Sequence, residues 1–196
     1  MDTRDKEYAD RLIARQTVWW KKALHVQAPY RWNLRRIRPG FTLELGCGIG
    51  RNLSHLNGNG VGVDHSFYAV EAARSRGLQA FTPEEFRESA FNKPATFDSL
   101  LCSHVAEHMT DREVADLLSE YLYLLKPFGL VIIITPQEAG YRSDPTHVQF
   151  MTFNELRNIA RETGLIPVRE YSFPFPRLIG HLFIYNEFVS INRKPF

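Results

Sequence analysis

The run Phe41-Thr42-Leu43-Glu44-Leu45-Gly46-Cys47-Gly48-Ile49-Gly50 constrains this chain more than any other segment. An apolar, strand-like stretch runs straight into glycines at alternate positions, and a carboxylate, Glu44, stands two residues before the first of them. A second short apolar run, Gly60-Val61-Gly62-Val63, is closed by Asp64. Glycines after a strand let the backbone pass close to a ligand, and the helix that follows turns its first N–H groups toward the same place. Loops of this kind serve dinucleotides, with an acid about 20 residues further on that grips a ribose. Two residues argue against a dinucleotide here. The third glycine of G-x-G-x-x-G would fall on Arg51, and Glu44 would set negative charge beside a pyrophosphate. The same carboxylate suits a ligand that carries an ammonium group and no phosphate.

From residue 40 onward the hydrophobic pattern alternates between strand and helix. Strands are expected at 41–45, 59–63, 78–81, 97–102, 130–135, 166–173 and 183–192, and helices at 50–56, 67–76, 111–125 and 152–163. Such alternation implies an α/β fold, a parallel sheet with helices on both faces. The last two apolar runs are separated by Pro174, Pro176 and Gly180 with no helix expected between them, so they pair as a hairpin and the final strand is antiparallel. Residues 3–27 read as a helix, since Ala9, Leu12, Ile13 and Gln16 keep helical spacing and Pro29 is the first proline. The expected organisation is an N-terminal helical cap over 1–39 and one folding unit over 40–196. Trp19, Trp20 and Trp32 either pack that cap on the core or form a lid over a pocket.

Composition narrows the partners. The chain has 196 residues, 44% hydrophobic and 23% charged, with a formal net charge of +2. That balance is ordinary for a globular domain and leaves no electrostatic footprint for nucleic acid. The basic residues Lys21, Lys22, Arg31, Arg35, Arg36 and Arg38 read first as a solvated helix face and second as a contact for an anionic partner. Cys47 and Cys102 lack C-x-x-C or zinc spacing and are expected to be buried and reduced, as in a cytoplasmic protein. Charge from Asp2 onward and the lack of a long apolar span predict neither a secretory leader nor a membrane segment. The aromatic stretch Phe173 to Phe188 fits either a core strand or a homodimer interface.

The ordered set Glu44, Gly46-x-Gly48-x-Gly50, Asp64, Phe97-Asp98 and Lys126-Pro127-Phe128-Gly129 resembles the class I S-adenosylmethionine (SAM)-dependent methyltransferases over about residues 40–196. That family closes a seven-stranded Rossmann-like sheet with an antiparallel last strand, and its usual K-P-G-G turn reads K-P-F-G here. The resemblance implies S-adenosyl-L-methionine as cofactor. Glu44 would take its amino-acid part, Gly46, Gly48 and Gly50 its close backbone approach, and Asp64 both ribose hydroxyls, with help from His65 or Ser66. Glu85 or Phe86 would contact adenine, and Ser103 and His104 would lie beneath the methionine part.

Methyl transfer from a sulfonium needs an acceptor atom held in line and, for a hydroxyl, a group that handles its proton. Two segments offer such groups. In His104-Val105-Ala106-Glu107-His108, the similarity to ubiquinone-type O-methyltransferases, whose E-x-x-E-H string binds a divalent metal, implies His104, Glu107 and His108 as ligands to Mg²⁺ or a softer ion. The alternative is a helix-start histidine without metal. In Asp144-Pro145-Thr146-His147, His147 is a general base oriented by Asp144, or else a histidine that holds the loop, with His108 as the other catalytic histidine. Thr152 with Glu155 forms a capping box that starts the next helix. The expected function is O-methylation of a small-molecule acceptor. A saccharide or glycosylated natural product is the first reading, and a phenolic or quinone-precursor hydroxyl the second. An NAD-dependent oxidoreductase and a non-catalytic SAM-binding protein are the readings of other classes.

Overall fold

In a computed structural model of the chain, residues 27–196 are described. The expected helix over 3–27, with Trp19 and Trp20, lies outside them. The chain divides between Asn92 and Lys93 into two compact units.

Among the described residues the first unit begins with α1, Ala28–Ile37. Pro29 starts this helix instead of ending one, because a proline in the first turn gives up an N–H that has no intrahelical acceptor. Strand β1 (Thr42–Leu45) is buried at all four positions and leads through the glycine loop into α2, Arg51–His55. Strand β2 (Gly60–Val63) pairs parallel to β1 and to β3 (Ala80–Phe81). Gly62 is required by packing, since a Cβ there would lie 2.5 Å from Cys47 Sγ. Between these strands run α3, Phe67–Arg74, capped by Ser66, and after β3 comes α4, Pro83–Glu88. Helix α4 is a single capped turn in what the sequence pattern reads as a loop. In this unit Val70, Ala73, Leu53 and Cys47 pack with Ala80 in one hydrophobic cluster.

The second unit is built on β4 (Phe97–Ser103) and β5 (Leu125–Pro136), which run parallel. A 3-10 turn, Ala106–His108, follows β4 and leads into α5, Asp111–Tyr121. After β5 come α6, Glu138–Arg142, and α7, Phe153–Glu162. The capping box of Thr152 and Glu155 starts α7 as its sequence predicts. Helix α7 turns Leu156, Ile159 and Ala160 inward, and burial of a side chain of leucine size contributes about 1.5–3 kcal/mol. Strands β6 (Ile166–Phe173) and β7 (Glu187–Arg193) pair antiparallel, as expected of a closing hairpin. The connection differs from the expectation: Arg177–His181 forms a 3-10 turn, and β7 starts at Glu187 instead of 183. The aromatic stretch divides, with Phe188 in the core and Leu178 and Leu182 78% and 84% exposed.

The strand order is β3-β2-β1-β4-β5-β7-β6, with β7 antiparallel to both neighbours. This is the seven-stranded sheet that the sequence predicts.

Candidate functional site

In the first unit the chain is folded around two acids. Gly46, Gly48 and Gly50 adopt φ of 69°, 51° and 77°, a region that side chains disfavour, so the turn depends on glycine. The amides of Gly46 and Cys47 both donate to Val63 O, at 2.8 and 3.1 Å, which ties the loop to the end of β2. Asp64 holds it from the other side. Its Oδ2 accepts from Gly48 N at 2.7 Å and its Oδ1 from Ser66 N at 2.9 Å. A carboxylate has about four acceptor positions, so Asp64 can order the loop and still accept from a ligand.

Glu44 projects from β1 and is 2% exposed. Its Oε1 accepts from Asn52 Nδ2 at 2.7 Å, and its Oε2 is buried without a hydrogen-bond partner. Burial pushes this carboxyl up to about 8, against the pull of Asn52 and Arg51. A buried acid with one open oxygen is short of a positive partner. Asn52 escapes a reading of the sequence, because only the turn of α2 brings it back to a strand eight residues earlier. The other residues expected near the cofactor are placed differently. His65 is exposed, 3.9 Å from Asp64. The Glu85 carboxylate accepts from Arg74 at 2.6 Å and from Thr82 N at 2.9 Å, and both bonds hold it below the usual carboxylate range. Phe86 is 1% exposed in the core. Arg35 of the basic helix donates to His55 O at 2.6 Å, and Arg36 stacks 4.5 Å over Trp32. Burial, with Arg51, Arg31 and Arg35 nearby, lowers His55 to about 4.

In the second unit two clusters form from the two histidine-bearing segments. Ser103 ends β4 and is buried. His104 follows it at φ 59° and lies between two carboxylates, with Nδ1 3.3 Å from Glu107 Oε1 and Nε2 2.8 Å from Glu187 Oε1. Burial disfavours its charge, but Glu107 and then Glu187 outweigh it and raise the imidazole to about 9. With 32% of its side chain exposed, water screens part of that pull. Glu187 is the residue that sequence reasoning missed. Its signal was a lone acid inside an apolar strand, and its position is fixed from below by Gln137, whose Nε2 donates to Glu187 O at 2.9 Å.

The second cluster joins Glu107, His108 and His147. The backbone carbonyl of Glu107 accepts from Val148 N and Gln149 N, at 2.7 and 3.2 Å, and so pins the 144–151 segment against the 3-10 turn. The rings of His108 and His147 meet edge to face, 4.9 Å apart, and Tyr141 stacks on His147 at 5.3 Å. His108 Nδ1 faces Thr146 O at 3.1 Å and His147 Nδ1 faces Tyr141 O at 2.7 Å. A carbonyl only accepts, so both Nδ1 atoms carry hydrogen and the neutral rings keep their lone pairs on Nε2. Glu107 Oε2 is buried without a hydrogen-bond partner. One donor atom from each of the three residues lies within 4.8 Å of the others. Asp144 does not reach the His147 ring nitrogen bonded to Tyr141. It accepts from the Thr146 hydroxyl at 2.7 Å and amide at 3.1 Å. Burial would raise its carboxyl, but the Thr146 bonds, with His147 and His108 nearby, hold it below the usual range. Cys47 and Cys102 are buried, as expected, and are not joined in a disulfide. Among the described residues no helix is long and apolar enough to cross a membrane.

A sheet of this order, with a glycine loop after its first strand and an acid at the end of its second, defines a class I SAM-dependent methyltransferase domain, and SAM is the methyl donor of that class. Residues 15–170 match the family described as a methyltransferase domain, and the chain belongs to it. The ubiquinone biosynthesis O-methyltransferase of Xanthomonas campestris pv. campestris (strain B100) is 27% identical over 143 residues, covering 64% of this chain. The chain spans only 59% of the length of that relative. The enzyme of the same name from Ralstonia nicotianae is 25% identical over 196 residues, covering 83% of this chain and 82% of its own. Among solved structures, a SAM-dependent methyltransferase from Archaeoglobus fulgidus superposes with a TM-score of 0.66 at 19% identity, over 84% of this chain and 93% of its own.

Proposed function

We propose that this chain is an O-methyltransferase that moves the SAM methyl group to a hydroxyl of a small molecule. In this reading the first unit holds the cofactor. Glu44 receives the ammonium of the methionine part, which supplies the positive partner its buried Oε2 lacks. Asp64 accepts from the ribose hydroxyls while it keeps Gly48 and Ser66 in place.

The acceptor oxygen attacks the methyl carbon in line with the sulfur. The O–C bond forms, the C–S bond breaks with its electrons left on sulfur, and the hydroxyl proton must be taken up. The observation that carries this reading is the paired imidazoles of His108 and His147. Each has its Nδ1–H committed to a carbonyl, and each is left with an Nε2 that accepts. His147 takes the proton, and Asp144 acts at one remove, through Thr146 and the carbonyl that faces His108.

The acceptor reading shifts from the one drawn from the sequence. The saccharide preference rests on the polarity of the 136–151 segment alone. The names of the relatives favour the second reading, a hydroxyl of a phenolic or quinone precursor. For a metal, the local set His104, Glu107 and His108 does not fit, because both His104 nitrogens face carboxylates and neither is turned to an ion shared with His108.

The test is a screen of catechol-type and glycoside acceptors with isotope-labelled SAM. Catechol-type turnover is expected, with His147→Ala lowering kcat by about 10²–10⁴-fold. S-adenosylhomocysteine affinity is expected to stay within threefold of the parent. Full turnover in His147→Ala would remove His147 from the chemistry.

A further inference from the structure

We infer that Glu107, His108 and His147 form a binding site for one first-row divalent transition cation, with His147 in the place that the local sequence string gives to His104. The inference rests on the reading above and deepens it at the same cluster: with a cation bound, the His147 Nε2 lone pair would be its ligand and not the base, and the acceptor hydroxyl, acidified by the cation, would give its proton to water.

Three independent features point to a cation. Each imidazole donates its Nδ1–H to a backbone carbonyl, Thr146 O for His108 and Tyr141 O for His147. That is the arrangement that orients a ligating ring, fixes its tautomer and aims the Nε2 lone pair. The third donor, Glu107 Oε2, is a buried carboxylate oxygen without a hydrogen-bond partner among the described residues. His104 meets only the other oxygen, Oε1, and a buried oxygen left without a partner carries a free-energy cost that a bound cation would offset. The three residues also converge, with one ligand-type ring nitrogen or carboxylate oxygen from each within 4.8 Å of the others.

His104 stays outside this set and supports it. It bridges Glu107 Oε1 to Glu187 Oε1, so it holds the Glu107 carboxylate by one oxygen and leaves the other for a ligand. The backbone works to the same end. Glu107 O accepts from Val148 and Gln149, so the residue that supplies the carboxylate also fixes the segment that supplies His147.

The donor types select the ion. Two imidazoles and one carboxylate suit Mn²⁺, Fe²⁺, Co²⁺ or Zn²⁺, whereas Mg²⁺ and Ca²⁺ take oxygen ligands. Three protein donors leave coordination positions open, and a cation bound there would lower the pKa of a hydroxyl placed beside it.

Co²⁺ is the probe, because its visible absorption reports coordination without any turnover. The chelator-stripped full chain is titrated with Co²⁺, then with competing Zn²⁺ and Mg²⁺. The expected result is one equivalent bound, displaced by Zn²⁺ and not by Mg²⁺. His147→Ala and Glu107→Gln should each abolish the absorption while S-adenosylhomocysteine still binds, which shows that the variants are folded. His104→Gln should retain it, weakened by at most about 10–100-fold as for the loss of a supporting contact. No Co²⁺ binding by the parent, or binding that survives His147→Ala and vanishes in His104→Gln, would overturn the inference. Oxygen methylation by the metal-free chain would then leave His147 as a base, so the proposed function stands or falls on a separate result.

Discussion

Glu44 concentrates the physical chemistry of the first unit in one side chain. Burial raises its carboxyl from an ordinary 4.5 to about 8. Between those values the unfolded chain has lost this proton and the folded chain keeps it, so the folded state binds more protons and stability falls as pH rises. A urea titration across that window should show this slope, and Glu44→Gln should flatten it. The proposed ammonium partner favours the ionised form, so cofactor binding below about pH 8 should release about one proton. Calorimetry of S-adenosylhomocysteine binding in two buffers of different ionisation enthalpy measures that number, and an enthalpy independent of buffer would argue against the Glu44 contact. Asp64→Ala should weaken the same ligand by about 2–3 kcal/mol, since it removes a charge-assisted acceptor and frees the Gly48 and Ser66 amides together. Glu44 and Asp64 were legible because they stand at fixed offsets from glycines. Asn52 and Glu187 were not, because their partners arrive only when the chain folds.

At the scale of elements, the Lys126–Gly129 segment shows how a familiar string can be built differently. The sequence reads it as the family's K-P-G-G turn with Phe128 in place of a glycine. In the structure the segment is a register shift within β5, between the pairings of Phe97 with Leu125 and Ser99 with Leu130. Phe128 carries the left-handed backbone, at φ 63°, and packs on Phe196 with ring centroids 4.9 Å apart. Gly129 is needed for space, since its Cβ would lie 2.6 Å from Leu125 Cδ1 and 2.9 Å from Asp98 O. Gly129→Ala should therefore destabilise by about 1–3 kcal/mol through overpacking, read as a lower urea midpoint. Thr152→Ala, which breaks the cap of α7, should cost about 1 kcal/mol in the same assay. The long elements were legible from period and caps. Helices α4 and α6 were missed because six and five residues are too few for a helical period to emerge, and neither follows a strand and glycine loop like the one that announces the equally short α2.

For the whole molecule, the seven strands and the antiparallel last one followed from alternation plus a final hairpin, features that the sequence carries along its length, whereas the spatial order of the strands is seen only in the fold. The chemistry did not follow in the same way. The two histidine-bearing segments read as separate sites, one for a metal and one for a base. In the fold, the backbone of Glu107 captures the later segment and His147 joins His108, while His104 turns away to Glu187. No local spacing encodes that exchange, because the residues that make it are about 40–80 positions apart. The central claim is that this regrouped cluster directs a methyl group to oxygen. The most direct test offers the chain a matched set of acceptors, a catechol, an aminophenol and an aniline, with SAM labelled in its methyl carbon, and locates the label by NMR. The account predicts label on oxygen only, with the rate of transfer collapsing in His147→Ala. Label on nitrogen or carbon, or transfer to oxygen unaffected by that substitution, would contradict it.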